Sequence, residues 1–235
     1  MTALADLRFV LTPGHPCSYL PGREARTLFV DPAATLHVPL YQQLSHVGFR
    51  RSGSYVYRPA CAACTACIAT RVIVADFAPR RRHRRLRRRN SDLRVQFSAA
   101  AERADLYALY ARYIEQRHAD GDMYPPTPDQ FRTFLLGTWS DTRMLILSER
   151  ERPLAVGVVD VLDDGLSAVY SFFDPDETAR SLGTHLLLAE IDLARELGLP
   201  FVYLGYWVKG CRKMNYKIEF GPLELFIENR WQRVN

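Results

Sequence analysis

The sequence predicts an α/β (α+β) protein in two unequal parts: a smaller N-terminal lobe with a cysteine cluster, and a larger half in which helices flank runs of strands. Three observations predict this. Up to about residue 78 the chain is rich in Pro, Gly, Tyr and Cys and alternates over short segments, as half-buried strands do. From residue 91 onward, amphipathic helical patterns alternate with apolar runs of strand length. Between them lies RRRHRRLRRR at 80–89, a sharp break in composition. The expected divisions are therefore 1–78, 79–90 and 91–235. With 48% hydrophobic and 24% charged residues over 235 positions, the chain can bury a core, which excludes a disordered or fibrous protein.

The elements follow in order. TLFVD (27–31) and SYVYRP (54–59) read as strands. ATLHVPLYQQLSHVGF (34–49) spaces Leu36, Leu40, Leu44 and Val47 as a helix that Gly48 ends. IATRVIVADF (68–77) is the strongest strand of the first lobe, and the arginine run after it reads as a linker. DLRVQFSAA is a strand and AERADLYALYARYIEQRHADG an amphipathic helix. Thr127 is placed to cap a second helix, TPDQFRTFLLGTW. Three strands follow at 142–149, 154–165 and 166–175, the last two joined as a hairpin by DDG at 163–165. A helix with Leu182, Leu186, Ala189, Leu193 and Leu197 on one face comes next, then strands at 201–207 and 223–232. This order is that of an acyl-CoA N-acyltransferase-like (GNAT-like) fold.

Charge singles out one segment. Of 31 basic residues, eight are the arginines of 80–89; the other 23 face 26 acidic residues, a balance of −3. Arg81, Arg82, Arg84, Arg85, Arg88 and Arg89 suit a row of phosphates, with an RNA backbone as the best partner; the alternative is a solvated loop. In 203–225, Tyr206 and Trp207 alternate with Lys213 and Lys217, an arrangement that could stack RNA bases or pack a core. No apolar run reaches the roughly 18 residues of a membrane helix, and the start lacks the pattern of a signal peptide. A soluble, cytoplasmic protein is expected.

Five cysteines, three of them within 61–67, fit a reducing compartment. Cys17, Cys61, Cys64 and Cys67 could offer four thiolates to zinc or an iron–sulfur cluster, or shape a turn as free thiols; Cys211 reads as a packed, inert thiol. The turn from Asp174 to Thr184 sets Arg180 three residues before Gly183 at a helix start. Such a turn suits a phosphate, a developing oxyanion or nothing at all. Taken alone it admits a coenzyme A-dependent N-acetyltransferase, and the basic segments taken alone admit an RNA-binding regulator.

Five segments in the same order, TPGHPCSYLPGREARTLFVDP, SGSYVYRPACAACTACIATRV, the basic run ending in RRN-DL, YSFFDPDETARSLGTHLLL and LPFVYLGYWVKGCRKMNYK, span nearly the whole chain. Together they resemble the aminoacyl-tRNA–protein transferases, the bacterial aspartate/glutamate leucyltransferases more than the eukaryotic arginyltransferases. That resemblance implies transfer of leucine from leucyl-tRNA to the α-amino group of proteins beginning with Asp or Glu, giving an N-degron, with no cofactor required beyond the charged tRNA. An arginine donor is the alternative within the family. It also implies that the arginine run grips the tRNA and that the N-terminal lobe selects the acidic residue, with Arg58, Arg71 and Tyr19 as binding candidates. Asp174 is the candidate for proton handling, with a capping role equally open, and Arg180 and Gly183 complete the catalytic set. Leu20 stands where the arginyltransferases carry a second cysteine, and the second cluster is CxxCxxC rather than an adjacent pair.

Overall fold

A computed structural model describes residues 4–234. The first lobe holds the short strands β1 (Phe9–Leu11), β2 (His15–Pro16), β3 (Glu24–Ala25) and β4 (Thr27–Val30), helix α1 (Val38–His46), then β5 (Arg50–Ser52), β6 (Tyr55–Pro59) and β7 (Cys67–Ile73). Helix α2 (Arg81–Arg89) and strand β8 (Arg94–Ala99) lead to α3 (Ala104–Arg117) and α4 (Pro128–Leu135). Then come β9 (Thr142–Glu149), β10 (Arg152–Leu162), β11 (Gly165–Phe173), α5 (Leu182–Glu196) and β12 (Phe201–Val208). A 3-10 segment (Arg212–Phe220), β13 (Leu223–Ile227) and β14 (Arg230–Val234) finish the chain.

The expected terminators act where they stand. Thr127 Oγ accepts the Gln130 N–H at 3.1 Å and caps α4. Gly48 takes φ +84° after α1, a conformation open to glycine. That helix is shorter than expected, because Pro39 fits only a first turn and His37 Nδ1 caps it by accepting the Leu40 N–H at 3.3 Å.

The strands form a large mixed sheet of eight, ordered β14-β13-β7-β12-β11-β10-β9-β8, a smaller sheet ordered β1-β4-β6-β5, and the β2–β3 pair. Helices α3 and α4 pack Leu106, Tyr110, Ile114 and Phe131 against Val156, Val158 and Phe172. Helix α5 packs Leu182 and Leu186 on Ala155, which alternates with Val156 and so faces the other side. Helix α2 lies beside α5, with Leu86 in the same cluster as Leu188, Ile191 and Ala194. Among the described residues, no helix is long and apolar enough to cross a membrane.

Three expectations are corrected. The arginine run is a nine-residue helix, not a loop or linker, because His83 and Leu86 recur on a buried face and arginine is a good helix former. The C-terminal apolar run is a hairpin, not one strand: Glu228 and Asn229 turn the chain at φ +52° and +59°. The division at residue 78 does not separate the sheets, because β7 lies inside the large one, paired with both β12 and β13.

Candidate active site

Every neighbouring pair in the large sheet is antiparallel except β11 and β12, which run parallel. These two pair only from Gly165–Ser167 to Phe201–Tyr203, although β11 continues to Phe173 and β12 to Val208. Beyond Tyr203 they part, and a register shift with Gly205 at φ +77° turns β12 away. Basic side chains reach this gap from two elements. Arg50 Nη2 on β5 donates to the Ala168 carbonyl of β11 at 2.6 Å, and Lys217 Nζ on the 3-10 segment donates to the Tyr206 carbonyl of β12 at 2.8 Å. Beside them, across β11, Glu190 points from α5 toward Gly157 of β10, where a Cβ would lie 2.6 Å from its Oε1. All three side chains are buried.

Back to back with the gap, across Tyr206, a cavity of about 610 Å³ opens on the first lobe. Cys17, Cys61, Cys64 and Cys67 line it with Arg58 and Arg23. Arg58 lies over the Phe49 ring at 5.0 Å and, among the described residues, has no carboxylate within ion-pair distance. A half-buried cation left without an acid in a concave site is what an incoming carboxylate needs. Tyr19 stands exposed near this wall, its hydroxyl pushed up to about 12 by desolvation and by Tyr57, Cys67, Cys211 and Cys17.

The four thiols meet in this cavity as free groups. Burial, then the neighbouring sulfurs, pushes the Cys67 thiol up to about 11. Cys61 Sγ accepts the Arg26 N–H at 3.4 Å, and Cys17 Sγ accepts that of Leu20 at 3.4 Å. Among the described residues no three Cys, His, Asp or Glu side chains form a group able to hold a metal ion.

Helix α2 lies on the other side of the gap region, beside α5. His83 stacks on Phe220 at 5.3 Å and anchors it. Arg82 pairs with Glu219 at 2.5 Å and Arg87 with Asp192 at 2.7 Å, while Arg89 is tied to the Ala179 carbonyl. Arg81, Arg84, Arg85 and Arg88 share the outer, exposed face and have no acidic partner among the described residues. Four like charges along one face repel one another and call for an anionic partner. Lys213 is exposed on the 3-10 segment.

Several expected site residues are placed elsewhere. Asp174 is buried and held by Arg112 at 3.0 Å and Arg152 at 3.6 Å, and it accepts the Asp176 N–H at 3.1 Å, so it braces the turn rather than facing a substrate. Arg180 is spent on Asp92, Glu149 and Glu177 at 2.8, 2.8 and 3.3 Å and offers no free cation to a phosphate or oxyanion. Gly183 is a packing position: a Cβ there would come within 3.1 Å of the Phe173 ring. Arg71 is buried between Phe201 and Trp231, bonded to Glu224 at 2.6 Å and to the Tyr203 hydroxyl at 3.0 Å, which leaves no free donor fork for an acceptor. Tyr206 is core, its hydroxyl donating to the Gly48 carbonyl at 2.8 Å, and Lys217 is interior. Trp207 is half-buried against the core around Val72, with Nε1 3.4 Å from Asn215. The sequence left Arg50 and Glu190 unmarked, although Glu190 falls four residues after Leu186 on the buried face of α5.

Two family models match: "Arginine-tRNA-protein transferase, N terminus" over residues 15–85, and its C-terminus counterpart over 105–227. The chain belongs to the arginine-tRNA-protein transferase family. A relative from Pseudomonas aeruginosa (strain LESB58), named aspartate/glutamate leucyltransferase, is 54% identical to this family member over 231 residues, 98% of each chain. One from Alcanivorax borkumensis, with the same name, is 53% identical over 232 residues, 99% of this chain and 96% of its own. Among solved structures, the C-terminal domain (DUF2156) of a putative lysylphosphatidylglycerol synthetase from Agrobacterium fabrum aligns at TM-score 0.46 and 14% identity, covering 73% of this chain and 52% of that one.

Proposed function

We propose that this transferase moves leucine from leucyl-tRNA to the α-amino group of proteins that begin with Asp or Glu, so that the product carries an N-degron for proteolysis in the cytoplasm. The observation that carries the proposal is the full-length match to two proteins named aspartate/glutamate leucyltransferase. The geometry is consistent with it at three places. The free face of α2 suits the phosphates of a tRNA acceptor arm. Arg58, unpaired in a concave cavity, suits an acidic first side chain. The parting of β11 and β12 supports an acyltransferase-like (GNAT-like) arrangement, with the aminoacyl ester entering between the strands.

The chemistry asks for positioning more than activation. An aminoacyl ester is already an acyl donor, so the protein must orient a neutral amine, hold the tetrahedral oxyanion and move two protons.

Incubation of a purified protein starting with Asp with leucyl-tRNA tests the proposal by mass spectrometry. One leucine on the α-nitrogen is expected, and none once that amine is acetylated. Transfer from arginyl-tRNA in its place, or from acetyl-coenzyme A, would overturn it.

A further inference from the structure

The charges buried in and beside the gap between β11 and β12 are only partly satisfied by their neighbours. Arg50 Nη1 and Glu190 Oε2 are both buried without a hydrogen-bond partner, and Lys217 has no carboxylate partner among the described residues. Burying unpaired polar groups costs free energy, so their persistence in one place points to a ligand that completes them. Two glycines lie against these groups, Gly205 on β12 at φ +77° and Gly157 on β10. A Cβ at Gly205 would stand 3.5 Å from Lys217 Nζ and 3.8 Å from Arg50 Nε, and one at Gly157 would collide with Glu190.

From this geometry, and resting on the aminoacyl-transfer reading, we infer that the leucyl ester carbonyl is seated in this gap, with Lys217 as the base that frees the acceptor amine and Arg50 as the donor that faces the oxyanion. A neutral lysine amine keeps an N–H for the Tyr206 carbonyl, 2.8 Å away, and turns a lone pair to the gap. Burial, then the Arg50 cation, pushes Lys217 down to about 7, so that this form is well populated at neutral pH. Burial holds Glu190 up to about 8, opposed by Arg50, so its carboxyl stays protonated beside the guanidinium. The groups facing Lys217 are thus Arg50 from β5, the Tyr206 carbonyl from β12 and Tyr216 on its own segment, with Glu190 from α5 beyond Arg50.

The step balances. The acceptor α-ammonium gives one proton to Lys217 Nζ, and its nitrogen pair forms the C–N bond as the carbonyl pair moves to oxygen. The oxyanion rests on the free Arg50 Nη1–H, and the proton taken by Lys217 plays no part in holding it. Collapse re-forms the C=O bond and breaks the C–O bond to the ribose. The leaving oxygen takes the second proton from the attacking nitrogen, and Lys217 returns its proton to solvent.

The test compares two nucleophiles in single turnover from leucyl-tRNA: a peptide starting with Asp, and hydroxylamine, which is already unprotonated at neutral pH. Lys217→Met and Lys217→Arg are each expected to slow transfer to the peptide by about 100-fold, while hydroxylaminolysis and leucyl-tRNA binding change by no more than a few-fold. Equal loss with both nucleophiles, or no loss with either, overturns the role of Lys217. A second measurement needs no variant. In the wild-type protein at subsaturating peptide, the rate should pass through a maximum between about 7 and 8, the values of Lys217 and of an ordinary α-amine. A rate that climbs monotonically through 8 contradicts it. Wild-type protein inert toward both nucleophiles would instead fail the aminoacyl-transfer reading itself.

Discussion

Arg51 Nε and Nη2 meet the two oxygens of Asp160 at 2.6 and 2.9 Å, with both side chains shut away from water. Thr142 Oγ1 donates to the same carboxylate at 2.6 Å, and Arg51 Nη1 donates to the Gly53 carbonyl at 2.8 Å, so each charge is well satisfied. The pair locks β5 of the small sheet onto β10 of the large one. It thereby fixes where Arg50, one residue away, enters the gap between β11 and β12.

Breaking that pair should unfold the junction. Asp160→Ala leaves a buried guanidinium uncompensated, a loss of about 3–5 kcal/mol. Urea unfolding should show it as a lower midpoint; an unchanged midpoint would mean that the two sheets are held by apolar contacts alone.

Arg58 should set acceptor choice. Arg58→Ala is expected to weaken acceptors starting with Asp or Glu by roughly 10–100-fold, the worth of a charge-assisted hydrogen bond of about 1.5–3 kcal/mol. An acceptor starting with Ala should be little affected. The ratio of kcat/KM values for the two acceptors measures this directly, and an unchanged ratio removes Arg58 from specificity.

The outer face of α2 should govern tRNA affinity and its salt dependence. Replacing Arg81, Arg84, Arg85 and Arg88 with Gln should flatten the slope of log K against log salt by up to about 0.9 for each phosphate that is no longer neutralised. The same changes at saturating leucyl-tRNA should leave the transfer rate intact. Changing Arg82 or Arg87, which Glu219 and Asp192 already neutralise, should move the slope less.

Asp174→Asn separates bracing from catalysis. Asp174 is enclosed by Arg112 and Arg152, so the change should lower stability by about 1–3 kcal/mol through weakened charged hydrogen bonds. The transfer rate should stay within roughly fivefold of wild type, whereas loss of a general base costs about 10²–10⁴. A loss in that higher range with the fold intact would restore Asp174 as a base.

Glu190 gives the stability of the protein a pH signature. Its folded value near 8 lies above the ordinary 4.5, so the folded state keeps a proton that the unfolded chain releases. Its favourable term is present below 4.5 and lost as pH rises toward 8. Glu190→Gln should match wild type near pH 4.5, gain on it steadily up to pH 8, and hold a constant advantage above. Urea unfolding across that range checks it; a difference independent of pH would mean that the carboxyl is not protonated in the fold.

How far the sequence carries can be judged from particular residues. The Thr127 cap, the stop at Gly48 and the hairpin turn at 163–165 are local signals, and each lands within a few residues of its element; on α5 the expected face holds only at Leu182 and Leu186, since the buried side continues through Leu188, Ile191 and Ala194 and leaves Leu197 exposed. Helix α2 was hidden because eight arginines mask a period carried by His83 and Leu86 alone. The hairpin at Glu228–Asn229 was hidden because neither residue is a glycine. At the site, Arg58 and the cysteines are neighbours in sequence and come together as expected. Arg71 and Arg180 read as free cations because their partners Glu224 and Asp92 lie far along the chain, 153 and 88 residues away. Lys217 read as a tRNA-binding cation for the same reason: its burial depends on β12 and Arg50, which only the fold supplies.

The most direct measurement is transfer of labelled leucine, and separately labelled arginine, from charged tRNA to three proteins differing only in a first residue of Asp, Glu or Ala. Leucine on the Asp and Glu proteins alone is the predicted result. Arginine on those proteins, or leucine on all three alike, would contradict the account.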